Sequence, residues 1–232
     1  MLDHQGLVHL GRADLPDDQR PFAVDPRAPT WAALGESQLA DPVAVARAVG
    51  ATVLIGATAC AGAFSEALVR EVGGNDPVPI VLPLSNPGSC AEARAEDILA
   101  WTDGRAFVAA GSPSRDVDGP TGRRVIGQAN NVFIFPGVGL GAIVAEMREV
   151  PDDAFLVAAR ELSRLVSAER LRAGGLYPRI SELRAVARSI AVAVVRQARD
   201  AGEGRLYTDE EIEPAVDRAM WWPAYLPYEA GG

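Results

Sequence analysis

The chain has 232 residues, an ordinary globular composition and a formal net charge of −9, enough for a substantial core and of the wrong overall sign for nucleic acid or an anionic membrane. Its two cysteines, Cys60 and Cys90, form no CxxC pair, and its two histidines, His4 and His9, stand near the N-terminus, so neither a disulfide framework nor a histidine-based metal site is expected. No charged-then-apolar leader opens the chain and no apolar run reaches bilayer length, so a cytoplasmic protein with no membrane or nucleic-acid partner is expected.

LDHQGLVHLGR predicts short extended segments around a turn at Gly6. Asp14 to Pro29 is rich in proline and acid and reads as a surface loop with short helical turns. A helix is expected from Asp41 to Val49, with Pro42 at its favoured early position. Thr52 to Ile55 has the branched, apolar character of a central parallel strand, and a helix follows from Ser65 to Val72. The rhythm repeats: strand at Pro79 to Leu82, helix from Ala91 to Trp101, strand at Ala106 to Ala109. Residues 115 to 124 read as a hairpin or exposed loop. Gly137, Gly139 and Gly141 permit close backbone packing, and helix is expected to continue from Ile143 to Val150. Long amphipathic helices are expected from Pro151 to Val166 and from Ser181 to Ala201. Thr208 opens a last helix with Glu211 in the reciprocal capping position. Trp221, Trp222, Tyr225 and Tyr228 then crowd a proline-punctuated arm, which either packs on its own body or docks elsewhere. The fold class is α/β: a truncated Rossmann-like parallel sheet with flanking helices and a C-terminal helical and aromatic arm, divided as 1–205 and 206–232.

In such sheets ligands lie beyond the carboxyl ends of the strands, where Gly56, Asn86 and Ser112 fall. Asp3 follows Leu2 and precedes a glycine turn; an acid at the end of the second strand of a dinucleotide fold hydrogen-bonds the adenosine ribose, although an acid near a terminus is commonly a solvated surface residue. Asn86 either caps the turn that follows it or donates to a carboxylate or carboxamide. The adjacent amides Asn130 and Asn131 either brace loops or meet a substrate. The chain contains no lysine, so no lysine can act here as acid or base. Tyr177 and Tyr207 read as packing residues. Gly137-Val-Gly-Leu-Gly141 has the wrong spacing and setting for a dinucleotide fingerprint, and no HExxH, GxSxG or phosphate loop is present. Cys60 reads as a small buried residue, with a reactive thiol as the alternative.

LIGATACAGAFSEALV, PLSNPGSCAEARAEDILAWTDGRAFVAAGSPS and GQANNVFIFPGVGLGAIV, followed by GGLYPRISELRAVARSIAVAV and MWWPAYLPY, resemble the serial motifs of malic enzymes over nearly the whole chain. That family oxidises L-malate with NAD or NADP and decarboxylates the oxaloacetate formed to pyruvate, using Mg or Mn. The resemblance implies that Asp3 is the ribose-binding acid and that Gln19 stands where NADP-preferring relatives often carry a lysine, which leans towards NAD. It places Gly56, Ala57 and Thr58 beside the dinucleotide, Asn86 near nicotinamide and substrate, and Asn130 and Asn131 among the amides of the malate and nicotinamide pocket. The family's N-terminal domain, with its catalytic tyrosine and lysine, malate-gripping arginine and metal-binding carboxylates, has no counterpart in these motifs. Neither do the first strand and glycine-rich loop. The expectation is therefore a malic-enzyme-like NAD-binding domain fragment with no catalytic or metal-ligating residue of its own, binding NAD weakly or not at all. Mg or Mn would enter only with a complementary N-terminal domain. A subunit of a split enzyme, a repurposed small-acid-binding enzyme and a homo-oligomeric interaction module are the alternatives.

Overall fold

The computed structural model describes residues 1–119 and 122–223. It contains two compact units, one formed by Met1–Ala129 with Ala168–Tyr177, the other by Asn130–Ser167 with the chain from Pro178 onward.

The first unit opens with a small hairpin, β1 (Leu2–Asp3) and β2 (Gly6–Leu7); it turns at His4 and Gln5 rather than at Gly6, which opens β2 with a φ of +109°, in the region that favours glycine. A single 3-10 turn (Arg20–Phe22) lies in the stretch expected as a loop with short helical turns, and two one-turn helices, α1 (Pro29–Ala32) and α2 (Glu36–Leu39), follow it. Helix α3 (Pro42–Val49) starts where Asp41 accepts the Val43 amide at 3.0 Å and stops at Gly50, in the left-handed conformation. Strand β3 (Val53–Gly56), helix α4 (Glu66–Asn75), strand β4 (Ile80–Pro83), helix α5 (Ala95–Trp101) and strand β5 (Phe107–Ala110) then alternate. After the hairpin β6 (Val117–Gly119) and β7 (Gly122–Arg124) comes β8 (Gly127–Gln128). The sheet order is β3-β4-β5-β8, and every pairing in it is parallel. Its core joins Leu68, Val69 and Val72 of α4, Ile98 and Leu99 of α5, and Val81 and Val108 of the sheet. Strand β3, expected as a buried central strand, is an edge strand among the described residues: it has no partner on its outer side, and Val53 and Ile55 are 45% and 63% exposed.

Three further expectations need correction in this unit. The helix anticipated from Ala91 begins at Ala95, because Gly88–Cys90 forms a 3-10 turn and the chain then bends at Glu92 and Ala93 before the extended Arg94. Tertiary hydrogen bonds to Glu92 outweigh the local helix propensity of that stretch. Strand β8 was not anticipated, since two residues are too few to show a pattern. Cys60 is exposed rather than buried, because it lies on the loop leaving β3 rather than beneath it.

The second unit is helical: α6 (Phe135–Val144), α7 (Asp152–Arg164), the long helix Leu183–Ala201 and the terminal helix Asp209–Ala219. Ile190, Val194 and Val195 of the long helix are fully buried, each contributing about 1.5–3 kcal/mol of hydrophobic stabilisation. Gly137 and Gly141 let α6 approach that helix. A Cβ at Gly137 would lie 2.6 Å from Ile190 Cβ, and one at Gly141 would lie 2.7 Å from Val194 Cβ. Gly139 faces open space, so the expected close packing holds at two of the three glycines. Helix α6 ends at Val144 rather than continuing to Val150: Glu146 takes a φ of +54°, and the Ala145 carbonyl accepts the Arg205 amide at 2.7 Å. The terminal helix opens on the expected capping box, Glu211 accepting from both the Thr208 amide and hydroxyl. Arg188 anchors it to the long helix through Asp217 and Glu213. Trp221 and Trp222 are 74% and 59% exposed, with the Arg184 guanidinium over the Trp222 ring. Tyr225 and Tyr228 lie outside the described residues. No described helix is long and apolar enough to cross a membrane.

Candidate functional site

Parallel strands deliver their C-terminal loops to one edge of the sheet. In the first unit the loops leaving β3, β4 and β5 carry Ala57–Cys60, Leu84–Asn86 and Gly111–Ser112. A cavity of about 840 Å³ opens where the β3 loop meets the N-terminal hairpin. Asp3, His4, Gln19, Ala57, Thr58 and Cys60 line it, over an apolar floor that includes Trp31, Val45, Val53 and Ile55. The structure thus gathers Asp3, Gln19, Ala57 and Thr58, four of the residues singled out in the sequence, into one space. Gly56 lies just beneath them, buried at the strand end.

Asp3 is held in place. Its carboxylate accepts the Gln5 amide at 2.9 Å and the Arg12 guanidinium at 2.9 Å. Burial raises its proton affinity, but the Gln5 amide and Arg12 more than offset this, keeping the carboxyl below its usual value and ionised. Arg12 also stands 3.6 Å from Asp14. Two carboxylates therefore share one guanidinium, and the cluster is negative overall. Gln19 presents a buried side-chain oxygen with no hydrogen-bond partner, an acceptor unmet by the protein.

The β3 and β4 loops are joined through Glu92, which is fully buried. Its Oε1 accepts the Thr58 amide at 2.8 Å, the Thr58 hydroxyl at 2.9 Å and the Ser85 hydroxyl at 2.5 Å, while Oε2 accepts the Ser85 amide at 3.4 Å. Burial pushes the Glu92 carboxyl up, yet the Ser85 and Thr58 donors bring it below the ordinary glutamate value. Gly56 makes room for this side chain, because a Cβ there would lie 2.7 Å from Glu92 Cγ. Next along the edge, the Ser112 hydroxyl donates to Asn86 Oδ1 at 2.5 Å. Gly111 allows the β4 and β5 loops to touch, since a Cβ on it would lie 2.1 Å from the Leu84 carbonyl oxygen.

Asn130 and Asn131 belong to the helical unit. Asn130 caps the 3-10 turn Asn131–Phe133, accepting the Val132 amide at 2.9 Å, and both asparagines are solvent-exposed. Tyr207 packs with its hydroxyl donating to the Val144 carbonyl. Among the described residues no group of three or more His, Cys, Asp or Glu is placed to hold a metal ion.

Arg12, Ser85 and Glu92 escaped the sequence reading. Glu92 is indistinguishable in sequence from its helical neighbour Glu96, and its burial depends on a turn that begins only with Gly88. Arg12 pairs with an acid nine positions earlier, a spacing that no helix or strand face links.

The chain matches the family described as malic enzyme, NAD binding domain, over residues 1–199. It is 42% identical over 185 residues to the NAD-dependent malic enzyme of Edwardsiella ictaluri, covering 80% of this chain and 33% of that protein. It is 35% identical over 230 residues to NAD-dependent malic enzyme 3 of Bacillus subtilis, covering 99% of this chain and 40% of that one. The crystal structure of the Entamoeba histolytica malic enzyme superposes with a TM-score of 0.72 at 21% identity, over 94% of this chain and 41% of that chain. The malic enzyme from Pyrococcus horikoshii superposes at 0.58 and 22% identity, over 77% of this chain and 36% of that chain; at these identities the superpositions show the fold. The chain spans 33% and 40% of the two sequence relatives. Motifs, fold and matched length agree, and the chain belongs to the malic enzyme family through its NAD-binding domain.

Proposed function

We propose that this chain binds the adenosine end of NAD in the Asp3–Gln19–Thr58 cavity, and that it serves malate oxidation only together with a complementary N-terminal malic-enzyme domain. The observation that carries the reading is the gathering of Asp3, Gln19, Ala57 and Thr58 in one cavity with an ionised carboxylate. Ribose hydroxyls are donors, and the Asp3 carboxylate is an acceptor that fits them, with Gln19 beside it in the lining of the same cavity. NAD is favoured over NADP because a 2′-phosphate would meet the Asp3 carboxylate, whose partner Arg12 is shared with Asp14. Bound NAD would supply the hydride acceptor; this chain's residues would hold and orient it.

Asn86, Asn130 and Asn131 are the amides assigned to the hydroxy acid and the nicotinamide. Their support is their exposure and the family membership. Proton transfer is assigned to the complementary domain because this chain contains no lysine, and the Mg or Mn of the family reaction is assigned there with the metal-binding carboxylates that the resemblance places in it.

Calorimetric titration of the chain with NAD and NADP, with and without malate and Mn, tests the cofactor half. Saturable NAD binding that falls about tenfold or more in Asp3→Ala, with NADP weaker than NAD, is expected. Absence of NAD binding to the unaltered chain would sink it. The complementary half is tested by adding the purified N-terminal portion of a full-length relative. Malate-dependent NADH formation on mixing, with neither part active alone, is expected; silence of a physically associated mixture would overturn it.

A further inference from the structure

Glu92 is the one fully buried acidic side chain among the described residues, and no guanidinium neutralises it. A buried charge of this kind persists only when donors replace its lost hydration. The donors come from both sides of a gap between two loops: the amide and hydroxyl of Thr58 on the β3 loop, the hydroxyl and amide of Ser85 on the β4 loop. The two hydroxyls extend the reach of the carboxylate. The Thr58 hydroxyl accepts the Cys60 amide at 3.1 Å, and the Ser85 hydroxyl accepts the Ala59 amide at 2.8 Å. Each hydroxyl is a relay with its donor side on Glu92 and its acceptor side on loop backbone, an arrangement in which each bond strengthens the next. Three consecutive amides, those of Thr58, Ala59 and Cys60, therefore point at one carboxylate directly or through one hydroxyl. Their convergence bends the loop so tightly that Ala59 sits at a φ of +53°, a conformation costly for a residue with a Cβ and kept only when its surroundings demand it. The Glu92 backbone adds a fifth tie, its carbonyl accepting the Phe64 amide at 3.1 Å.

We propose that Glu92 is a positioning residue that sets the β3 cofactor loop and the Asn86 loop in a fixed mutual register, so that one buried carboxylate shapes both. The inference rests on the cofactor reading above for its binding readout, and on the loop geometry for the rest. Residues 57–60 are exposed as residues, so slow exchange of their amides reports these hydrogen bonds and little else. In Glu92→Gln the shape is kept, but the acceptor is neutral and its amide group meets the Ser85 N–H, donor against donor.

Amide hydrogen exchange read by NMR on the 232-residue chain, beside NAD calorimetry, is the test. In Glu92→Gln the Thr58 and Ala59 amides are expected to exchange at least tenfold faster, while the strand amides of Ile80 and Phe107, which donate to Thr52 and Pro79, keep their rates. NAD affinity is expected to fall at least fivefold. Thr58→Val and Thr58→Ser repeat the test should Glu92→Gln fail to fold: Val removes the relay and speeds Cys60 exchange, and Ser restores it. Unchanged loop exchange in Glu92→Gln, or in Thr58→Val, would overturn the proposal. So would full NAD affinity in a variant whose loops exchange fast. If the unaltered chain binds no NAD, the cofactor reading and the assignment of Glu92 to a cofactor loop fall together, and the exchange arm alone still decides whether Glu92 sets the loops.

Discussion

Both units use glycine where elements approach closely, but they differ in what else they bury. The helical unit brings helices together through bare backbone: Gly137 and Gly141 of α6 meet Ile190 and Val194 of the long helix, and its central core consists of valine, alanine and isoleucine. Its ion pairs lie outside, as in the Arg188 pairing with Asp217 and Glu213. The sheet unit has an equally apolar core but places a buried carboxylate and two hydroxyls where its strands end. Parallel strands finish with unpaired backbone groups pointing the same way, and these need polar partners. That need is what makes a strand-end edge suitable for binding, and a smooth helical core unsuitable.

Three perturbations would sharpen the contrast, in order of expected effect. Gly111→Ala should be the most damaging, because its Cβ would meet a backbone carbonyl at 2.1 Å and neither loop can yield alone. We expect a loss of about 3 kcal/mol in urea denaturation, and a result under about 1 kcal/mol would show that the β4 and β5 loops are free to part. In the helical unit, Gly141→Ala meets Val194 Cβ at 2.7 Å and should cost about 1–3 kcal/mol. Gly139→Ala, in open space on the same helix, should instead stabilise by about 0.5–1 kcal/mol through helix propensity. Equal effects at the two positions would mean that α6 does not approach the long helix as described.

The smallest effect concerns acid. Glu92 and Asp3 both have carboxyls held below their ordinary values. A depressed carboxyl adds stability that is fully present above its unfolded value and is lost as pH falls through the folded one. For Glu92 the decline should therefore begin below about pH 4.5, its ordinary value. Thermal melts from pH 7 downward should show the unaltered chain losing more stability over this range than Glu92→Gln, which has no carboxyl to protonate there. Parallel acid limbs for the two proteins would mean that the buried carboxylate contributes nothing to the acid response.

Much of the fold was legible before any coordinates. The strand–loop–helix alternation from Val53 to Ala110 follows from branched apolar runs bounded by glycine, proline and asparagine, all local signals. The capping box at Thr208 and Glu211 is local too. The candidate site was legible from strand-end position at Gly56, Asn86 and Ser112 and from the glycine turn at Asp3, whereas Gln19, Ala57 and Thr58 were legible only through the family resemblance. Composition and periodicity say nothing about which acid is drawn inward: Glu92 and Glu96 stand four positions apart, one buried and the other exposed.

The sequence by itself determined the order of elements, the parallel class of the sheet, the absence of any lysine and the family, because these depend on residue type and near-neighbour spacing. Only the tertiary structure decided that Arg12 closes on Asp3, that Gln19 is left with an unmet oxygen, that β8 joins the sheet, and that one carboxylate gathers the loops of two strands. Those outcomes depend on groups far apart in the chain whose desolvation must be offset together, and a buried charge finds its donors only once the chain has folded around it.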